Sequence, residues 1–193
     1  MVNITLVTGG ARSGKSRFAE ALAERSGLPV VYLATMEPGD DELRERVERH
    51  RARRPSAWET IEEPLEVVAA LERIDRGALV LLDCATLWIT NLLVRTIDDF
   101  DAAPADTWEQ AIAECVALAG ELVERQSGRT GPLVAVTNEV GLGVVPETRS
   151  GRYFRDAAGL VNQELARQAE RVVLMVSGRP LELSGGSAEQ REG

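Results

Sequence analysis

From Gly9 to Ser16 the chain reads Gly-Gly-Ala-Arg-Ser-Gly-Lys-Ser, a G-x-x-x-x-G-K-S pattern. Few short patterns constrain a fold so tightly, because this one works only between a strand and a helix. The flanks agree. An apolar run, Ile4 to Val7, precedes it, and a helical pattern, Ser16 to Arg25, follows. Glycines let the backbone curl until successive N–H groups point inward, where they cradle phosphate oxygens. The following helix N-terminus adds partial positive charge. In such a loop Lys15 reaches the β- and γ-phosphates and the Ser16 hydroxyl holds Mg²⁺. Gly9, Gly10, Ala11, Arg12, Ser13, Gly14, Lys15 and Ser16 are therefore candidate nucleotide contacts. The alternative is a plain glycine turn carrying an exposed lysine.

The rest of the chain repeats the same alternation. Strand-like runs fall at Ile4–Val7, Val30–Ala34, Leu79–Leu82, Leu133–Val136 and Val172–Val176. Each is continuously apolar, as expected of parallel strands covered on both faces. Helical patterns fall at Ser16–Arg25, Asp41–Arg53, Leu65–Glu72, Thr86–Thr96, Thr107–Gln126 and Tyr153–Arg171. Alternating strand and helix predicts an α/β fold, a mostly parallel sheet flanked by helices in three layers. A ligand then sits at the C-terminal edge of the sheet. Other functional residues are expected just after strands.

Length and charge narrow the function. A chain of 193 residues suits one domain, expected over residues 1–183, with a Gly/Ser/Glu-rich tail over 184–193. Net charge is −9, which argues against general nucleic-acid or membrane-surface binding. Cys84 and Cys115, the only cysteines, form neither a disulfide framework nor a zinc pattern, so two buried thiols are expected. No basic leader precedes the first strand and no apolar run is long enough to span a bilayer, so a cytoplasmic protein is expected.

Asp83 ends the run Ala78-Leu-Val-Leu-Leu-Asp83. An aspartate at a strand end is what a second Mg²⁺-positioning carboxylate looks like beside a phosphate loop. It is also what a helix cap looks like. His50 is the only histidine, and six arginines crowd residues 44–54. Complementation of the helix dipole explains a basic helix end without any function. Yet Arg53 and Arg54 share the His50 face, and arginine forks bind phosphate bidentately. Positive neighbours also favour a neutral, nucleophilic imidazole. Thr35, Met36 and Glu37 follow the second strand. Glu62 follows the arginines, where a carboxylate could read guanine or ribose. Asn138 and Glu139 follow the fourth strand and are candidate substrate contacts. Gly141 and Gly143 beyond them could be simple turn glycines.

Taken together, several segments resemble the bifunctional adenosylcobinamide kinase / adenosylcobinamide-phosphate guanylyltransferase family of cobalamin biosynthesis. They are the Thr8–Ser16 loop, Tyr32-Leu-Ala-Thr35, His50-Arg51-x-Arg53-Arg54-Pro55-x-x-Trp58, Thr86 to Leu93, Thr137-Asn-Glu-Val-Gly141 with Val145-Pro-Glu147, and Phe154-Arg-Asp156 with Asn162-Gln163. The loop alone is generic, whereas the combination is specific. The resemblance implies a P-loop NTPase-like, RecA-like fold and two reactions. In the first, adenosylcobinamide is phosphorylated with ATP or GTP. In the second, GMP passes from GTP through a histidine to adenosylcobinamide phosphate, releasing pyrophosphate. His50 stands at the family's GMP-carrying position. Nucleotide contacts carry over to Gly9–Ser16, Thr35–Glu37, Arg51, Ala52, Arg53, Arg54, Glu62 and Asp83. A homotrimer is the implied assembly. A 193-residue protomer can hardly enclose a corrinoid, so a cleft between protomers is expected. A simple P-loop kinase of a small metabolite and a non-catalytic nucleotide switch are the rival readings.

Overall fold

The computed structural model describes residues 2–37, 51 and 54–183. Seven strands form one sheet: β1 (Val2–Gly9), β2 (Val30–Ala34), β3 (Glu59–Glu62), β4 (Leu79–Asp83), β5 (Leu133–Val136), β6 (Ala169–Val176) and β7 (Arg179–Glu182). Their spatial order is β3-β2-β4-β5-β1-β6-β7. Every neighbouring pair is parallel except β6–β7. Five described helices connect them: α1 (Lys15–Arg25), α2 (Val67–Arg73), α3 (Ala85–Thr96), α4 (Ala105–Ser127) and α5 (Arg149–Gln168).

The unbroken apolar strands are explained by two cores, one on each face. On one face Ile4, Leu6, Val31, Leu33, Val80, Leu82, Leu133 and Ala135 pack with α2, α3, α4 and α5. On the other, Val7, Val30, Tyr32, Leu79, Leu81, Val134 and Val136 pack against Ala19 and Ala23 of α1. Successive residues of each strand alternate between these cores, as the pleat requires. Each fully buried Val, Leu or Ile contributes about 1.5–3 kcal/mol of burial free energy. The expected α/β fold with three layers is what forms.

Two strands were not expected, and one helix and the strand after it are displaced by three or four residues. β3 was not expected, because Glu59-Thr-Ile-Glu62 is polar; it is an edge strand, half-covered, and pairs only with β2. β7 was not expected either, because Arg179-Pro-Leu-Glu182 carries a proline; on the opposite edge Pro180 costs no ladder bond that the sheet needs. The Ser177-Gly178 turn joins β6 to β7 with φ of 50° and 80°. Positive φ at both positions matches a two-residue hairpin turn. The helix expected over Tyr153–Arg171 instead runs Arg149–Gln168, and its last three expected residues open β6. Thr148 sets the earlier start by accepting the Gly151 N–H at its side chain. The helix expected over Asp41–Arg53 and the expected tail over 184–193 lie outside the described residues, apart from Arg51.

Candidate functional site

The loop after β1 has the backbone that phosphate binding needs. Gly9 has φ of 144°, and a Cβ there would lie 2.5 Å from the Met175 carbonyl oxygen of β6. Gly14, at φ 98°, caps α1, and a Cβ there would meet the Gly178 Cα at 3.3 Å. Neither position accepts a side chain without strain. Arg12 also takes a left-handed conformation, with φ of 56°. The hairpin turn braces the loop from the side, since the Gly178 N–H donates to the Ser13 carbonyl at 2.9 Å. The S-G dipeptide is a turn signal in the sequence, but its contact with the loop is visible only in the fold.

Lys15 folds back over this curl and its Nζ donates to the Gly10 carbonyl at 2.7 Å. Only 8% of the residue is exposed. Burial lowers the ammonium pKa, opposed by Cys84 and Asp83. The Ser16 hydroxyl is half-buried and makes no hydrogen bond to a described residue.

Asp83 ends β4 beside this loop. The following helix is capped at Cys84 with no side-chain hydrogen bond, so the capping alternative for Asp83 is not what forms. Instead the Tyr32 hydroxyl donates to Asp83 Oδ2 at 2.7 Å. Burial and the neighbouring carboxylate push the Tyr32 phenol pKa far up, so it stays a donor. The Arg54 guanidinium stacks on the other side of this unit, 3.3 Å from the Tyr32 ring centroid. Arg54 Nε is buried without a hydrogen-bond partner among the described residues.

Thr35 is fully buried. Its hydroxyl donates to the Cys84 carbonyl at 2.8 Å and accepts the Cys84 N–H at 2.9 Å. The side chain thus holds the β4–α3 junction and faces no solvent. Met36 is half-buried and Glu37 exposed. Glu62, at the end of β3, lies 3.6 Å from Arg51, both side chains largely exposed. His50, Ala52 and Arg53 lie outside the described residues.

Asn138 and Glu139 follow β5. The Glu139 N–H donates to the Gly9 carbonyl at 3.0 Å, which ties this segment to the phosphate loop. The Glu139 carboxylate accepts the Gly141 N–H at 3.0 Å. Gly141 and Gly143 have no positive φ, as fits ordinary turn glycines. Beyond them Leu142 and Val144 are 83% and 96% exposed.

Every described candidate therefore lies at the C-terminal edge of the sheet, though not at one point. Asp83 stands two strands from Gly9 and Glu62 four strands away. At strand spacing those separations are roughly 10 Å and roughly 19 Å. Asn138 and Glu139 stand with the phosphate loop, Glu62 stands with Arg51, and Asp83 lies midway, two strands from each of Gly9 and Glu62. The sequence reading missed Tyr32 as the partner of Asp83, because an apolar strand run hides which face a tyrosine takes.

The donor set suits Mg²⁺. Oxygen ligands, one carboxylate and a hydroxyl, with nucleotide phosphates completing the shell, are what this hard ion takes. Among the described residues no three His, Cys, Asp or Glu side chains cluster.

A prototypical ATPase from the type III secretion system of pathogenic bacteria superimposes with a TM-score of 0.58 over 90% of this chain and 52% of its own, at 12% identity. This is a likeness of fold alone. The profile of the cobinamide kinase / cobinamide phosphate guanyltransferase family matches residues 5–183. The chain belongs to this family. Members share nearly the full length with it. The bifunctional adenosylcobalamin biosynthesis protein CobP of Pseudomonas aeruginosa is 45% identical over 93% of this chain and 96% of its own. The CobU proteins of Escherichia coli and Salmonella typhimurium are 46% and 42% identical, each over 90% of this chain and 95% of their own. The family match takes in the phosphate loop, Asp83 and the Asn138–Glu139 segment together.

Proposed function

We propose that the chain is a bifunctional enzyme of cobalamin assembly, an adenosylcobinamide kinase and adenosylcobinamide-phosphate guanylyltransferase. The observation that carries the reading is family membership across residues 5–183, joined to a formed phosphate loop with Lys15 at its centre. In the kinase step the acceptor hydroxyl oxygen attacks the γ-phosphorus of ATP or GTP, the bond to the β–γ bridging oxygen breaks to release the nucleoside diphosphate, and the hydroxyl proton passes to solvent. Such a reaction needs mainly alignment and charge neutralisation. Lys15 turns from the Gly10 carbonyl to the phosphates, and the loop N–H groups hold their oxygens. Ser16 and Asp83 would hold Mg²⁺, which supplies Lewis-acid neutralisation of phosphate charge. Asn138 and Glu139 line the acceptor side.

In the transfer step the His50 imidazole attacks the α-phosphorus of GTP and pyrophosphate departs. A phosphate oxygen of adenosylcobinamide phosphate then displaces the histidine. Two easier substitutions replace one hard one. Arg51, Arg53 and Arg54 would neutralise the departing pyrophosphate, and Glu62 would read guanine or ribose. Residues 1–183 act as one domain with 184–193 as a tail. The chain works in the cytoplasm as a homotrimer. Among the described residues no helix is long and apolar enough to cross a membrane.

The kinase half is tested by incubating the protein with adenosylcobinamide, Mg²⁺ and ATP labelled at the γ-phosphate. Label recovered on the corrinoid supports the reading. Hydrolysis to free phosphate alone, with no labelled corrinoid, contradicts it and favours a nucleotide switch.

A further inference from the structure

Asn138 is held by a closed relay of four hydrogen bonds. Its N–H donates to Thr86 Oγ1 at 2.6 Å. Thr86 Oγ1 lies 3.1 Å from Thr137 Oγ1. Thr137 Oγ1 donates to Asn162 Oδ1 at 2.7 Å. Asn162 Nδ2 then donates to the Asn138 carbonyl at 3.1 Å, closing the circuit on the residue where it began. Its direction is forced. The carbonyl can only accept, so Nδ2 must face it and Oδ1 must face Thr137. Thr137 spends its one hydroxyl proton on Oδ1, so Thr86 must donate to Thr137. Thr86 is then left accepting from the Asn138 N–H. Thr86, Thr137 and Asn162 are all buried, where an unmatched polar atom costs more than a bond contributes.

The relay draws on three elements. Thr86 is the second residue of α3; Thr137 directly follows β5; Asn162 lies in the second half of α5. The Asn138 side chain itself makes no hydrogen bond to a described residue. Both of its backbone polar groups are thus fixed while its amide is left for a ligand. One residue later, Glu139 is tied to Gly9.

We propose that Thr86, Thr137 and Asn162 are positioning residues that fix Asn138 and Glu139 against the acceptor, independently of the phosphate loop's own hold on nucleotide. The inference rests on the reading that these two residues line the acceptor side.

The test compares Thr86→Val and Asn162→Leu with the conservative Thr86→Ser. Three quantities are read: binding of a fluorescent nucleotide analogue, kinase kinetics with adenosylcobinamide, and hydrogen–deuterium exchange over residues 138–141. Thr86→Val and Asn162→Leu are expected to lower kcat/KM for the acceptor about tenfold or more, through displacement of a reacting group. Exchange at 138–141 rises, while the nucleotide analogue binds within about threefold of wild type, because the Lys15–Gly10 and Gly178–Ser13 bonds that shape the loop involve no relay residue. Thr86→Ser keeps the hydroxyl and restores acceptor kinetics. Equal loss of nucleotide binding and acceptor kinetics, or no rescue by serine, overturns the proposal. If wild type phosphorylates no corrinoid, the activity reading fails; unchanged exchange at 138–141 in Thr86→Val then overturns the relay by itself.

Discussion

Single atoms decide much of this account. Lys15 was legible from the motif, because its spacing from two glycines leaves one geometry. Lys15→Ala should cut turnover of ATP by about a hundredfold, since one charged donor to a transferring phosphate is removed; steady-state kinetics would show it. Tyr32 was not legible, because nothing in Val30-Val-Tyr-Leu-Ala34 says that its hydroxyl meets Asp83. Tyr32→Phe frees the carboxylate to rotate. It should weaken Mn²⁺ binding in the nucleotide complex, read by electron paramagnetic resonance, by about fivefold, the size of one side-chain hydrogen bond. Unchanged Mn²⁺ affinity would show that the phenol does not orient Asp83. The thiols were legible as buried, and burial pushes both Cys84 and Cys115 up to about 11. Native protein at pH 8 should therefore react with a thiol reagent only as fast as it unfolds. The sign for stability follows. A thiol that holds its proton more tightly when folded supports the fold below its ordinary value near 9 and loses that support as pH rises toward 11.

Whole elements repeat the lesson. β1, β2, β4, β5 and most of β6 were readable because burial on both faces forces an uninterrupted apolar run. The edge strands were not readable, because β3 and β7 are polar and owe their existence to a single neighbour each. That matters for the site, since the β6–β7 turn donates to Ser13 and β6 presents Met175 to Gly9. The loop motif alone does not say that a hairpin far along the chain supports it. Gly9→Ala places a methyl group 2.5 Å from a backbone oxygen at φ 144°. It should destabilise the protein by about 2–4 kcal/mol, the range for forced backbone strain and overpacking. Gly178→Ala meets open space and faces only the cost of positive φ, about 1 kcal/mol. Chemical denaturation of the two variants separates a packing constraint from a conformational one, and equal losses would contradict the Met175 contact.

At the scale of the molecule, the expected three-layer α/β sheet and the family are settled by the fold and by relatives that span nearly the whole chain. The sequence made this legible because the family's motifs fall at successive strand ends, where the sheet gathers them on one edge. How far apart they lie was not legible, since strand order is set by crossovers. Glu62 lies four strands from Gly9, with Asp83 midway between them. Assembly is a separate question: sedimentation velocity should give three times the 21.0 kDa chain mass, and a fully active species at the chain mass would remove the proposed inter-protomer cleft. The claim beneath the whole account is that one chain both carries a guanylyl group and delivers it. The direct measurement is a pulse and chase: Mg²⁺ and GTP labelled at the α-phosphate, then adenosylcobinamide phosphate. The protein should carry label that survives alkali, is lost in acid, is missing from His50→Ala, and moves to the corrinoid during the chase. Labelled corrinoid formed at wild-type rate by His50→Ala would contradict that claim.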